Sequence, residues 1–466
     1  MTAQAGGPSS AVYRSSVAAL VFACLVAGMM QTMVIPLQGE FPRLLDAEPS
    51  ATAWIVTANT LSACAFSPIG GKLGDLFGRT RVAVILMLVF SAGSIIAAAS
   101  AQVEVLVAGR ALQGVAITVI PLSMSILQEI MPVHRVATGV ALASGMLGAG
   151  AAIGMPLGAA VTRVAGWQAM FWVCAVLGFV SVVWMHRAVP RTAPAERGAR
   201  FDLLGALGLM LGSSALLIAL SQSLSWGAAS FALWGVGGAA LLVLVATNLW
   251  MLRAASPLID VRVAWRPQVV RTNAAALALN FAMMGANVAI PQLLVLGTGI
   301  GYGLSPLAAS FVMMVTSAAQ VAATPVIARW SRRSGPRVVL AVGSAAVVVA
   351  LGAPALWPGP LWFLVGCVAV LGFGFALAFG AVPQLVMAAV PPHQVAAANG
   401  LNTQIRTFGT AWGAALIGAI LAATATAGWS AERGFLLAFL VSAGAAFAAV
   451  VIALLIPRAG CSPAAA

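Results

Sequence analysis

Between two long apolar runs, the residues Gly71-Lys72-Leu73-Gly74-Asp75-Leu76-Phe77-Gly78-Arg79-Thr80-Arg81 gather three glycines, one carboxylate and three bases. Lys72 is the only lysine in the chain, and Asp75 is one of ten acids. Glycines let two helix ends approach closely, and Asp75 has bases within reach to offset its charge. The spacing predicts a tight, charged hairpin in water, whose chemistry is electrostatic pairing that can form and break. A plain solvated positive loop would carry the same charges. Two further bases, Arg110 and Arg406, fall inside apolar runs. A charge held inside a bilayer costs about 3 kcal/mol or more, so each is a functional candidate. Arg110 is either a structural arginine bonded to main-chain carbonyls of neighbouring helices or a coupling residue. Arg406 either snorkels towards the nearer membrane face or faces a cavity.

These residues have to be positioned by membrane helices. The 466 residues are 62% hydrophobic and 7% charged, with a mean hydropathy of +1.04. Soluble domains carry about 25% charged residues. Apolar windows of about 20 residues recur throughout, and in lipid such windows are helical because helices satisfy their own backbone polar groups. Fourteen spans are expected, at 17–38, 52–71, 82–101, 106–128, 137–160, 168–187, 203–222, 230–252, 272–295, 305–329, 338–356, 361–388, 397–422 and 434–457. The net charge of +13 does not imply nucleic-acid binding, because the bases sit in short clusters between spans. Of 23 basic residues, 18 fall on one side and three (Arg43, Arg163 and Arg433) on the other, which places both termini in the cytoplasm. The five cysteines and three histidines are scattered, so neither a disulfide framework nor a metal site is expected.

On this topology no carboxylate lies in the middle of a span. Glu40 and Glu104 sit at outer helix ends, Glu129 at an inner end, Asp75 in the hairpin, and the other six acids in loops or at helix ends. A proton carrier needs a group whose pKa its surroundings can shift, and an arginine releases no proton at ordinary pH. If protons couple, Glu40, Asp75 or Glu129 would carry them near the membrane faces. The remaining buried polar side chains are expected to be neutral. Gln31, Thr32, Asn59, Asn280, Asn287, Gln292 and Gln384, with Arg406, are candidates for lining a substrate cavity, although many could make only interhelical hydrogen bonds. Met29, Met30, Met33, Met283 and Met284 suit either a promiscuous apolar cavity or a lipid-facing surface. Buried bases without buried acids favour neutral or anionic amphiphiles over multiply charged cations.

The chain also repeats itself. His134 and His393 stand in similar Pro-His contexts 259 positions apart, and at the same offset Gly150 meets Gly409 and Gly154 meets Gly413. Arg329 to Arg337 is a degenerate echo of the charged hairpin, with Gly335 matching Gly78. The offset spans eight helices, so two six-helix halves in the same orientation are separated by two inserted helices. The expected organisation is a tail at 1–16, a six-helix bundle at 17–187, a loop at 188–202, inserted helices at 203–252, a loop at 253–271, a second six-helix bundle at 272–457 and a tail at 458–466.

The segment Gly71 to Arg81 resembles the signature between helices 2 and 3 of the major facilitator superfamily. Leu106 to Gly114, with Arg110 and the Gln113-Gly114 pair, resembles that superfamily's helix 4 motif. Gly145 to Gly158, with Gly150, Gly154 and Pro156, resembles the helix 5 motif of its antiporters. With fourteen spans, most of the chain is similar to the fourteen-helix drug:proton antiporter branch. There are departures. Met30 stands where the branch's helix 1 carries an aspartate; Gln168 and Ala169 replace Arg and Trp of a helix 6 pattern, and Cys174 replaces its asparagine. The resemblance implies an all-α major facilitator fold and secondary export driven by a proton gradient, with no cofactor and no catalysis. It implies a conformational latch at Gly71, Gly74, Asp75, Gly78, Arg79 and Arg81. Coupling would involve Arg110, Gln113 and Gly114 with Glu40 and Glu129, and a helix-contact motif would comprise Gly145, Gly150, Gly154, Pro156 and Gly158. The expected partners are an amphiphilic small molecule and the lipid bilayer, with the protein acting as a monomer. An importer or symporter of a small metabolite is the alternative within transport, and a non-transporting sensor or scaffold is disfavoured by the short loops. An ATP-driven pump is disfavoured because no Gly-x-x-x-x-Gly-Lys-Ser/Thr loop is present.

Overall fold

The computed structural model describes residues 10–34, 37, 41–194, 201–222, 226–227, 230–254, 257–258, 261–297, 299–357, 359–391, 394–426 and 430–457. Fourteen long helices account for most of them. They are α1 (Ser10–Met33), α2 (Pro49–Phe77), α3 (Arg79–Ala99), α4 (Val103–Ile130, with a tight 3-10 turn at Ala116–Thr118), α5 (Val133–Ala165), α6 (Trp167–Ala188) and α7 (Leu203–Ser221). There follow α8 (Phe231–Arg253), α9 (Pro267–Val295), α10 (Pro306–Ser334), α11 (Pro336–Leu356), α12 (Leu361–Ala389), α13 (Val395–Thr426) and α14 (Ala431–Leu455). Most run a few residues beyond the spans expected from hydropathy, because helix continues past the hydrocarbon into the interface. Some end earlier instead: α1 runs from Ser10 to Met33 against the expected 17–38, and α3, α7 and α14 stop one or two residues short.

Twelve of these helices are long and apolar enough to cross a membrane. The other two, α2 and α13, have 29 and 32 residues and are long enough, but their polar load dilutes them. Asn59 lies in α2, and Asn399, Asn402 and Gln404 lie in α13; all four are buried. Helices that carry amides inward trade hydropathy for internal hydrogen bonding.

Helix ends follow local chemistry. Ser305, Ser230 and Ser430 cap α10, α8 and α14 through their hydroxyls, and proline opens α2, α9, α10 and α11. Gly78 alone separates α2 from α3, with φ 92°, and Gly335 alone separates α10 from α11, with φ 79°. Both are in a backbone region that glycine enters without penalty. The two sequence echoes are therefore the same one-residue junction.

The chain divides into two compact units. The first comprises Met1–Ala219, Trp226–Val261 and Pro391–Gln404, and the second comprises Leu220–Ser225, Arg262–Val390 and Ile405–Ala466. In the first unit α1 packs on α5 and α6, α2 on α4, and α3 on α4 and α6. In the second, α9 packs on α14, α10 on α12, and α11 on α12 and α14. There, Gly409 and Gly413 of α13 lie against the carbonyls of Leu277 and Phe281 of α9. The same pairing thus recurs eight helices later. The pair α7 and α8, expected from the sequence to be inserted, is pinned by Asp202. Its carboxylate accepts from Gly205 N (2.8 Å), Trp250 Nε1 (3.1 Å) and Leu258 N (3.2 Å), joining the start of α7 to the last turn of α8 and the segment beyond. Phe231, Trp234 and Leu242 of α8 are exposed, as apolar side chains facing lipid should be.

Candidate transport site and conformational latch

The α2–α3 junction is not a hairpin in water. Asp75 is 1% exposed, Lys72 6% and Arg79 7%. The expectation of a solvated charged loop is corrected: α2 runs unbroken to Phe77 and α3 begins at Arg79, so these charges sit on helices packed against α4 rather than in a loop. Arg79 donates from Nε (3.1 Å) and Nη2 (3.0 Å) to Asp75 Oδ1, and its Nη1 lies 3.6 Å from Glu129 Oε2 of α4. Gly74 abuts Leu122 of α4, and Gly71 is buried, whereas Arg81 is exposed. Glycine at position 78 has no side chain to cap α3. Thr192, 112 residues away, supplies the cap in trans: its Oγ1 accepts from Thr80 N at 3.0 Å, while Thr80 Oγ1 donates to Pro190 O at 2.8 Å. Thr192 is a positioning residue with no sequence signal, since it lies in an irregular segment remote from the junction.

Exchanging Asp75 for asparagine keeps the size and one acceptor but removes the charge that balances Arg79. Breaking one partner of a buried pair costs about 3 kcal/mol where no other acid is near, and here Glu129 offsets part of that. Asp75→Asn should therefore insert normally and turn over slowly, read as initial transport rate per protein in the membrane; a fully active variant would show that the pair is dispensable.

The interior of the first unit is centred on Arg110, which is 1% exposed. Its Nε donates to Ile55 O of α2 (3.0 Å), and Nη1 donates to Gln113 Oε1 (2.8 Å) and contacts Met30 Sδ of α1 (3.2 Å). Gln113 Nε2 in turn donates to Ser94 Oγ of α3 at 2.7 Å. Asn59 Nδ2 donates to Arg110 O (3.1 Å) and reaches Met30 Sδ (3.4 Å). Gly114 lets α4 close onto the carbonyl of Asn59. One guanidinium thus joins four helices through neutral acceptors, and no carboxylate pairs with it among the described residues. The thioether of Met30 occupies the place where the resemblance expects an aspartate. Cys174 Sγ lies 3.7 Å from Met33 Sδ beside the same cluster.

The α5 glycines lie against α1. A Cβ at Gly150 would strike Leu25 O, one at Gly154 would strike Met29 O and Thr32 Oγ1, and one at Gly158 would strike Met33 O. Thr32 Oγ1 donates across this seam to Ala151 O at 2.7 Å. Pro156 is exposed within the helix, and Gly145 is half-buried one turn before Gly150.

The remaining candidates are dispersed. Glu129 is 44% exposed beside Arg79, and Glu40 lies outside the described residues. Gln31, Asn287 and Gln292, expected to be buried, are exposed; Gln31 and Gln292 stand near helix ends, where the chain leaves the packed interior. Asn280 is buried and bonds its own helix at Ala276 O, and half-buried Gln384 bonds Gly380 O. Arg406 does not extend towards a helix end: its guanidinium lies over the Phe379 ring, 4.5 Å from the centroid, and snorkelling is corrected to an aromatic contact. Its partner Phe379 was not singled out by sequence, because one phenylalanine in an apolar helix looks like any other.

The profile of the Major Facilitator Superfamily matches residues 20–414 and, in a second match, 274–461. The chain belongs to that superfamily and is a multi-pass membrane transporter. Among curated relatives, it is 28% identical to a probable actinorhodin transporter of Streptomyces coelicolor, over 81% of this chain and 67% of that protein. It is 26% identical to the methylenomycin A resistance protein of Bacillus subtilis, over 92% and 91%, and 23% identical to a riboflavin transporter of Clostridioides difficile, over 81% of each. The matched stretch amounts to 42% of the length of a similar transporter of Mycobacterium tuberculosis. Among solved structures, the human organic anion transporter MFSD10 superposes with a TM-score of 0.66 over 92% of this chain and 99% of that one, at 16% identity, a likeness of fold.

Proposed function

We propose that this protein exports small amphiphilic, drug- or antibiotic-like compounds across the cytoplasmic membrane, by alternating access between its two halves and with both termini in the cytoplasm. The observation that carries the reading is an interior organised on arginine, with no carboxylate in mid-helix among the described residues. Such an interior suits neutral and anionic amphiphiles and repels multiply charged cations. The names of the actinorhodin and methylenomycin relatives support export of such compounds. The glycine seam between α1 and α5, at the motif that resembles the antiporters', supports the direction.

Proton antiport is the proposed energy source. Arg110 and Arg406 cannot carry the proton, which leaves Asp75 and Glu129 at the α2–α3 junction, and Glu40, as carriers. Dissipating the pH gradient across everted membrane vesicles should stop substrate accumulation; accumulation that continues unchanged would remove protons from the mechanism. The riboflavin relative supports a second reading, uptake or symport of a small metabolite. Comparing accumulation in everted and right-side-out vesicles separates the two, since export fills only the everted ones.

A further inference from the structure

The two interior arginines are held in opposite ways. Arg110 donates from Nε and Nη1 to a carbonyl, an amide oxygen and a thioether, all from its own unit. Arg406 of α13, in the second unit, has a single partner type: the face of Phe379, 4.5 Å from its guanidinium carbon. Its Nε is buried and has no hydrogen-bond partner among the described residues, and none of the described carboxylates forms an ion pair with it. A guanidinium carries five donors in a planar fork that matches a carboxylate or sulfonate, and a ring face satisfies none of them. Arg406 is half-buried, and leaving its buried Nε unsatisfied is unfavourable unless something else completes it. Phe379 is itself stacked on the buried Phe375, centroids 5.6 Å apart and planes 6° from parallel, so the ring beneath the arginine is held in place on α12.

We infer that Arg406 and Phe379 form the substrate-recognition site for an anionic aromatic group, the fork taking the anion and Phe379 contacting the ring, with buried Phe375 supporting Phe379. This rests on the reading of the protein as a transporter of neutral and anionic amphiphiles and names the place where the anion is selected. Arg406 sets charge preference, and Phe379 both orients the guanidinium and contacts the ring. Arg110, with its Nε and Nη1 already engaged, is left for the first unit's own architecture and cycle.

The test uses the full-length protein in lipid nanodiscs, with naphthoate and naphthyl methanol as probes of matched shape and different charge. Wild-type protein should bind naphthoate more tightly than the alcohol. Arg406→Gln should weaken naphthoate about tenfold or more and change the alcohol by about twofold or less, the loss expected for a charge-assisted pair. Arg406→Lys should fall between, because an ammonium keeps the charge and loses the fork. Phe379→Leu should weaken both probes, since both rings contact Phe379. Retained alcohol binding shows that the Arg406 variants are folded. Naphthoate binding that is the same in Arg406→Gln and wild type, or lost in parallel with the alcohol, would overturn the site; so would a wild type without preference for naphthoate. Failure of the transport reading looks different: the binding pattern holds, and everted vesicles accumulate neither probe.

Discussion

Replacing Arg110 with leucine should reduce transport to background while leaving insertion and folding at wild-type level. A charged side chain within a membrane helix costs about 3 kcal/mol on insertion scales. Against this, Arg110 makes bonds to Ile55 O, Gln113 Oε1 and Met30 Sδ, and interhelical bonds in membranes contribute only about 0.6 to 1 kcal/mol each. The bonds about cancel the burial, so stability gives no reason for a charge at this point. Leucine fills much of the space, and Gln113 keeps its bond to Ser94. Expression, monodispersity and thermal stability should therefore be unchanged, with initial rates at background. A destabilised protein with residual transport would return Arg110 to a structural role. The companion change is Met30→Asp, which places a carboxylate where a thioether lies 3.2 Å from the guanidinium. It should create a titratable pair and make the transport rate depend more steeply on pH.

A valine at Gly154 should lower stability sharply. Every atom that its Cβ would meet first belongs to α1, and the nearest, Met29 O, is main chain. Side chains can turn away; a carbonyl in a helix cannot. The α1–α5 seam must open, and overpacking of this kind costs about 1 to 3 kcal/mol. Thr32 also loses its 2.7 Å bond to Ala151 O as the helices part. Gly154→Val should melt several degrees lower in detergent and transport poorly. Gly366→Val is the matched control, because nothing lies within 4 Å of a Cβ there. Equal melting of the two variants would show that the seam tolerates separation.

Much of this arrangement can be read directly from residue types. Lipid leaves the backbone little choice but helix, so fourteen apolar runs become fourteen helices. Arg110 declares itself because a lone charge inside such a run is so costly. The repeat shows itself through Gly78 and Gly335, whose positive φ is a demand that sequence alone reveals only as paired glycines. What stays hidden depends on register between helices. The contact of Met30 with Arg110 needs α1, α2 and α4 to be aligned to within one turn, and no single helix contains that information. Thr192 caps α3 across 112 residues. The burial of Asp75 follows from α2 outlasting its apolar run by two turns, which hydropathy reads as loop. Polarity also says little about which face an amide occupies: Asn59 and Asn280 are buried, while Gln31, Asn287 and Gln292 are exposed.

With Arg110 and Arg406 inside helices and no carboxylate in mid-helix among the described residues, the protein is proposed to select neutral and anionic amphiphiles for export. Uptake into energised everted vesicles of three matched aromatic compounds, one anionic, one neutral and one a permanent dication, tests it most directly. The anionic and neutral compounds should accumulate, and the dication should stay at the level of vesicles lacking the protein. Accumulation of the dication alone would contradict the account.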